Sequence, residues 1–122
     1  MSDQTNGETV TAFCDAWSRG DVEAIMSAFT EDAVYHNIPM AAIHGREAID
    51  GFIRPFLGRG SIHFETLHQT VTGDIVMNER LDTVSQPGTP DVAVPVMGVF
   101  ELRDGKISAW RDYFDLKTFT GE

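Results

Sequence analysis

The chain holds a single cysteine, Cys14, so no disulfide can close within it. That leaves its redox compartment open, with the cytosol favoured. Basic residues are scarce: nine Lys and Arg stand against 19 Asp and Glu, for a net charge of −10. A surface of that sign repels phosphate backbones, so no nucleic-acid partner is expected, and anionic membranes are disfavoured. No apolar run approaches the length of a membrane span. The first ten residues, MSDQTNGETV, lack the basic start and apolar core of a secretory leader. The four histidines, His36, His44, His63 and His68, lack metal-ligand spacing, so no metal is expected. The tract Gly58-Arg59-Gly60 is too short for a phosphate loop and precedes a strand rather than a helix. Internal repeats and low-complexity tracts are absent as well.

What is present is ordinary for a globular chain: 122 residues, 42% apolar and 23% charged, the size of one domain. Val10, Phe13, Cys14 and Trp17 recur at helical spacing, which predicts an amphipathic helix ending near Arg19-Gly20. Asp21 can cap a second helix with Val22, Ile25, Met26 and Phe29 on its inner side. Residues 33–37 (AVYHN) read as a short strand stopped by Pro39. A third helix follows Gly45, and Pro55 should bend or end it. From about residue 61 the period changes to two, with strands near 62–72, 75–86, 92–102 and 106–114. Helices first and a meander after imply an α+β fold, the helices packed on one face of a curved antiparallel sheet.

The strand faces carry the chemistry. Strand 75–86 places Val76, Asn78, Arg80, Asp82 and Val84 on one side and Ile75, Met77, Leu81 and Thr83 on the other. Alternation alone favours the second side as core and the charged side as solvated. Asp112 resists that reading, because Trp110 and Phe114 share its face. Burial among aromatics raises a carboxylate's pKa, and Arg80 across the sheet could pull it back. Two carboxylates around one guanidinium can serve as acid and base. Tyr35 and Asn37 share a face of the short strand, and both can hold water. A three-residue loop with Gly105 left-handed would set Val96 opposite Asp112 and Gly98 opposite Trp110. A two-residue loop would set Met97 opposite Asp112. Met26, Met40, Met77 and Met97 are expected as core or pocket filler. Cys14, on the apolar side of its helix, is read as packing rather than a nucleophile.

The segments VYHNIP, NERLD and PVMGVFELRDGKISAWRDYFDL, in this element order, resemble the limonene-1,2-epoxide hydrolase family. That family shares the cone-shaped fold of nuclear transport factor 2, ketosteroid isomerase and the SnoaL-like polyketide cyclases, in which the sheet is mixed. The resemblance implies a cofactor-independent epoxide hydrolase acting on a small, largely apolar epoxide. It implies Asp112 as the base that takes a proton from water, with Tyr35 and Asn37 as that water's other holders. Asp82 is implied as the acid that protonates the epoxide oxygen, and Arg80 as the bridge between the carboxylates. The implied apolar lining is Cys14, Trp17, Phe64, Val84, Val94, Val96, Phe114 and Phe119. A homodimer through the outer sheet face is also implied, with Ile107, Ala109 and Tyr113 on that side. The rivals are an isomerase or cyclase of the same fold, with one aspartate moving a proton beside a carbonyl, and a non-catalytic module that binds an apolar ligand.

Overall fold

The computed structural model describes residues 2–120. Its elements run α1 (Asp3–Arg19), α2 (Val22–Ser27), β1 (Phe29–Asn37), β2 (Ile43–His44), α3 (Arg46–Arg59), β3 (Ser61–Thr72), β4 (Ile75–Ser85), β5 (Val92–Arg103), β6 (Lys106–Tyr113) and α4 (Leu116–Thr120). The strands form one mixed sheet in the order β2-β1-β6-β5-β4-β3. The last four strands make the expected antiparallel meander, while β1 joins its edge parallel to β6. Parallel neighbours need a long crossover; here α3 and the first three strands of the meander supply it.

Local chemistry explains the boundaries. The Ser2 hydroxyl accepts the Thr5 N–H, so α1 starts well before its apolar stripe. Gly20, at φ 68°, ends the helix in a left-handed turn. Asp21 caps α2 as expected, accepting from Ala24 N at 3.1 Å. Phe29, read from sequence as part of that helix, opens β1 instead. Pro55 neither ends nor divides α3, which runs through it. The carbonyl it frees belongs to Gly51, an exposed residue that water can reach.

The expected sidedness of β4 is reversed. Val76, Asn78, Arg80, Asp82 and Val84 face inward and are all buried, whereas Met77 is 41% exposed. The charged face can be the core face because its charges neutralise one another there, as described below. Met97 is exposed on the same outer side, so neither it nor Met77 fills the core.

The expected register of the last hairpin is also replaced. Asp104 and Gly105 both have positive φ, 52° and 78°, and form a two-residue turn that pairs Arg103 with Lys106. Leu102 then pairs with Ile107 but Glu101 with Ala109, leaving Ser108 as an extra residue. This bulge moves the register on by one, so Gly98 faces Asp112 and Phe100 faces Trp110. It also turns Ile107 inward, where it is fully buried rather than on the outer face. Phe13 from α1 meets Trp110, Phe29 and Phe100 edge-on, at centroid distances of 5.0, 5.3 and 6.0 Å, and anchors the helix layer to the sheet.

Candidate active site

The parallel seam aligns β1 with β6 so that Tyr35 lies beside Trp110 and Asn37 beside Asp112. The second of these rows continues across the sheet: Asn37, Asp112, Gly98, Asn78 and Gln69 are successive lateral neighbours. In the first row Trp110 is stacked between Tyr35 (4.2 Å) and Phe100 (5.5 Å). Gly98 leaves a gap, and the Arg80 guanidinium leans into it from the next row. A Cβ at residue 98 would stand 2.4 Å from Arg80 Nη1 and 3.0 Å from Asp112 Oδ1.

Every N–H of that guanidinium has an acceptor. Nε and Nη2 donate to Asp82 Oδ1 and Oδ2 at 3.1 and 2.8 Å. Nη2 and Nη1 donate to Asp112 Oδ2 and Oδ1 at 2.8 and 3.3 Å. The fifth bond runs from Nη1 to Asn78 Oδ1 at 2.9 Å. Phe64 covers one face, its ring centre 4.6 Å from Arg80 Cζ. Asp112 Oδ1 also accepts the Trp110 indole N–H at 2.7 Å. Asp112 thus takes three donors and Asp82 two, so Asp112 is the better stabilised as an anion. Burial pushes both carboxyls above the ordinary range, against the pull of the Arg80 charge. With a single cation between two acids, one proton on the pair would make the cluster neutral. Tyr35 donates to Asn37 Oδ1 at 3.3 Å, and burial pushes its hydroxyl pKa up, so it stays a neutral donor.

The cluster lies at the wall of a cavity of about 380 Å³. Trp17, Phe64, Val84, Val94, Val96, Phe114 and Phe119 line it, and Asp82, Asp112, Tyr35 and Asn37 are the polar groups in its wall. Residues 4–121 match the model of the limonene-1,2-epoxide hydrolase catalytic domain. The chain belongs to that family.

A curated member, the epoxide hydrolase EphG of Mycobacterium tuberculosis, is 34% identical over 107 residues, spanning 88% of this chain and 71% of EphG. The solved structure of a limonene-epoxide-hydrolase-like epoxide hydrolase from M. tuberculosis superposes with a TM-score of 0.89 at 32% identity, covering 98% of this chain and 90% of that one. A protein of ketosteroid isomerase-like fold from Catenulispora acidiphila gives 0.81 at 27% identity, covering 91% and 88%. The fold is therefore the one that limonene-1,2-epoxide hydrolases share with the isomerases and the SnoaL-like cyclases.

Within this family member the five polar residues singled out in the sequence, Tyr35, Asn37, Arg80, Asp82 and Asp112, come together from three strands. Seven of the eight apolar residues named from the resemblance are in the wall of this cavity. Cys14 is the exception. It lies in the core outside the cavity wall, with its Sγ 3.9 Å from Asn78 Nδ2, and burial pushes its thiol pKa up to about 12. Met40, expected as core or pocket filler, lines the cavity too, and Phe52, Phe56, Ile62 and Leu116, which escaped the sequence reading, complete it. Phe52 and Phe56 are on the apolar side of α3, but nothing in that pattern separates core from cavity wall. Trp110 was placed on the right face, yet its bond to Asp112 has no sequence signal. Among the described residues no group of three or more His, Cys, Asp or Glu could hold a metal. Among the same residues no helix is long and apolar enough to cross a membrane.

Proposed function

We propose that this protein adds water to a small, largely apolar epoxide in one step, giving a vicinal diol, without a cofactor. The observation that carries the reading is the single guanidinium bonded to both Asp82 and Asp112 at 2.8 Å in the wall of an apolar cavity. One arginine holding two carboxyls in different states makes an acid and a base available in one site. An isomerase needs one base and an oxyanion donor, and has no use for such a bridge.

In this reading Asp112 takes a proton from a water that Tyr35 and Asn37 also hold. The water oxygen forms a bond to one epoxide carbon while that carbon's bond to oxygen breaks. Protonated Asp82 delivers its proton to the departing oxygen. The aromatic walls exclude bulk water and favour a neutral substrate. Fixing water and epoxide in line recovers part of the entropy cost of a bimolecular step. Acid, base and water holders all come from the chain, so turnover should survive dialysis against a chelator.

An aspartate could instead attack carbon and form an ester, but the ester then needs a second base to activate water. None of the four histidines is in the cavity lining. A single turnover in ¹⁸O-water with enzyme in excess decides between the routes. All label is expected in the diol, and none in Asp112 or Asp82 by peptide mass spectrometry. Label in either aspartate, or unlabelled diol, overturns direct attack. A 3-keto-Δ5-steroid isomerised while epoxides remain untouched would overturn hydrolysis altogether.

We also infer that the working form is a homodimer joined through the outer sheet face. Met77, Met97 and Tyr113 are 41, 44 and 45% exposed there, on adjacent strands. Apolar groups clustered on one side mark an association surface. Light scattering at micromolar concentration should give twice the chain mass, and a monomeric mass removes the idea.

A further inference from the structure

Arg80 is held by more than its two carboxylates. Its Nη1 also donates to Asn78, which is 1% exposed and lies outside the cavity lining. Asn78 Nδ2 donates in turn to Gln69 Oε1 at 3.2 Å, and its other hydrogen faces Cys14 Sγ. Gln69 Nε2 donates to the Gly7 carbonyl and to Thr11 Oγ1, both at 3.2 Å, on α1. The direction of this chain is fixed at both ends. A backbone carbonyl only accepts, so the Gln69 amide nitrogen must face Gly7 and its oxygen must face Asn78. A guanidinium only donates, so the Asn78 oxygen must face Arg80. The two requirements agree, and neither amide can flip without breaking a bond at each end.

We propose that Asn78 and Gln69 are positioning residues that hold the Arg80 guanidinium in register from helix α1. The inference rests on the hydrolase reading for its meaning and on the bond directions for its geometry. Asn78 takes one Nη1 hydrogen at 2.9 Å and Asp112 the other at 3.3 Å. The shorter bond holds Nη1 off Asp112, which limits how tightly Arg80 binds that carboxylate and leaves it more basic. Gly98 completes the arrangement, since a Cβ there would stand 2.8 Å from Asn78 Oδ1 as well as 2.4 Å from Nη1.

Two variants separate positioning from simple stability. Asn78→Asp sets a third carboxylate against the same guanidinium, which weakens its hold on Asp112 and repels the Asp112 anion. Gln69→Met cuts the relay at a half-buried strand position, at little cost to the core. The Trp110 indole N–H, bonded to Asp112 Oδ1, reports the Asp112 titration by ¹H–¹⁵N NMR, with or without turnover. In Asn78→Asp its midpoint, and the acid limb of kcat/KM, should rise by about one pH unit. Gln69→Met should lower kcat about tenfold with KM unchanged, and adding Asn78→Leu should cost less than the two separate losses combined.

A purely structural role would lower the melting temperature and leave kcat of folded Gln69→Met where it is. An unmoved midpoint in folded Asn78→Asp overturns the proposal. So do additive losses, or wild-type kcat in Gln69→Met, and that last measurement decides the matter if the Asn78 variants do not fold. If the wild type opens no epoxide, yet the indole midpoint still shifts in Asn78→Asp, the hydrolase reading is removed and the relay is kept.

Discussion

Asp112→Asn should reduce epoxide hydrolysis by about 10²–10⁴-fold, the usual worth of a positioned general base. The amide is nearly the same shape but cannot take a proton from water. Three donors converge on the residue, from Arg80 Nη1 and Nη2 and from the Trp110 indole. An amide offers them one oxygen, which can keep the two donors that meet Oδ1, while its NH2 group falls where Oδ2 met Arg80 Nη2 and loses that bond. Circular dichroism and gel filtration should still report a folded protein, because the amide places no charge in the wall. The pH profile adds a second test. Burial raises the Asp112 pKa, so the base is protonated and idle up to a higher pH than an exposed carboxyl would be. The acid limb of wild-type kcat/KM should therefore lie above the ordinary aspartate value of about 3.9 and be lost in the variant. Retention of more than a hundredth of wild-type turnover would assign the base elsewhere.

Arg80→Lys should be nearly as damaging, on the order of 10²-fold in kcat/KM. A misplacement near 1 Å suffices for that. The charge is kept, so any loss belongs to shape. The guanidinium reaches four carboxylate oxygens and one amide oxygen from a single plane. An ammonium has three donors on one atom and cannot bridge two carboxyls in that way. One carboxyl then keeps the cation and the other takes up a proton, which confuses acid with base. Steady-state kinetics on the purified variant give the answer, and wild-type rates would show that the bridge is not needed.

Much of this was legible in the sequence, for reasons that can be named. The meander is marked by turn residues at Gly73, at residues 86–91 and at Gly105, and period-two alternation survives between them. Asp112 stood out because a carboxylate flanked by aromatics is costly unless it is used, and Tyr35, Asn37, Arg80 and Asp82 were joined to it by the family resemblance. The side of β4 that faces the core was not legible. Alternation compares hydrophobicities, and an arginine neutralised by two aspartates does not look apolar until all three are in place. The hairpin register failed because Asp104 adopts a positive φ and Ser108 bulges, and one extra residue turns a strand over. Asn78 was placed on the right face but given no role, because its partners sit on β3 and β4 and only the folded sheet brings them together.

The parallel seam between β1 and β6 governs when the site comes into being. Strands β3 to β5 can pair through neighbouring turns, but Asn37 and Asp112 are brought together only when two distant parts of the chain meet. Until β6 docks, Arg80 has only Asp82 to neutralise it, and the inner face of β4 cannot be sealed from water. Docking of β6 delivers the second carboxylate and the indole, and the strand edge it offers takes up β1. The active centre is therefore complete only once β6 has paired on both of its sides, and a nascent chain halted before residue 106 would hold the acid and the arginine without the base.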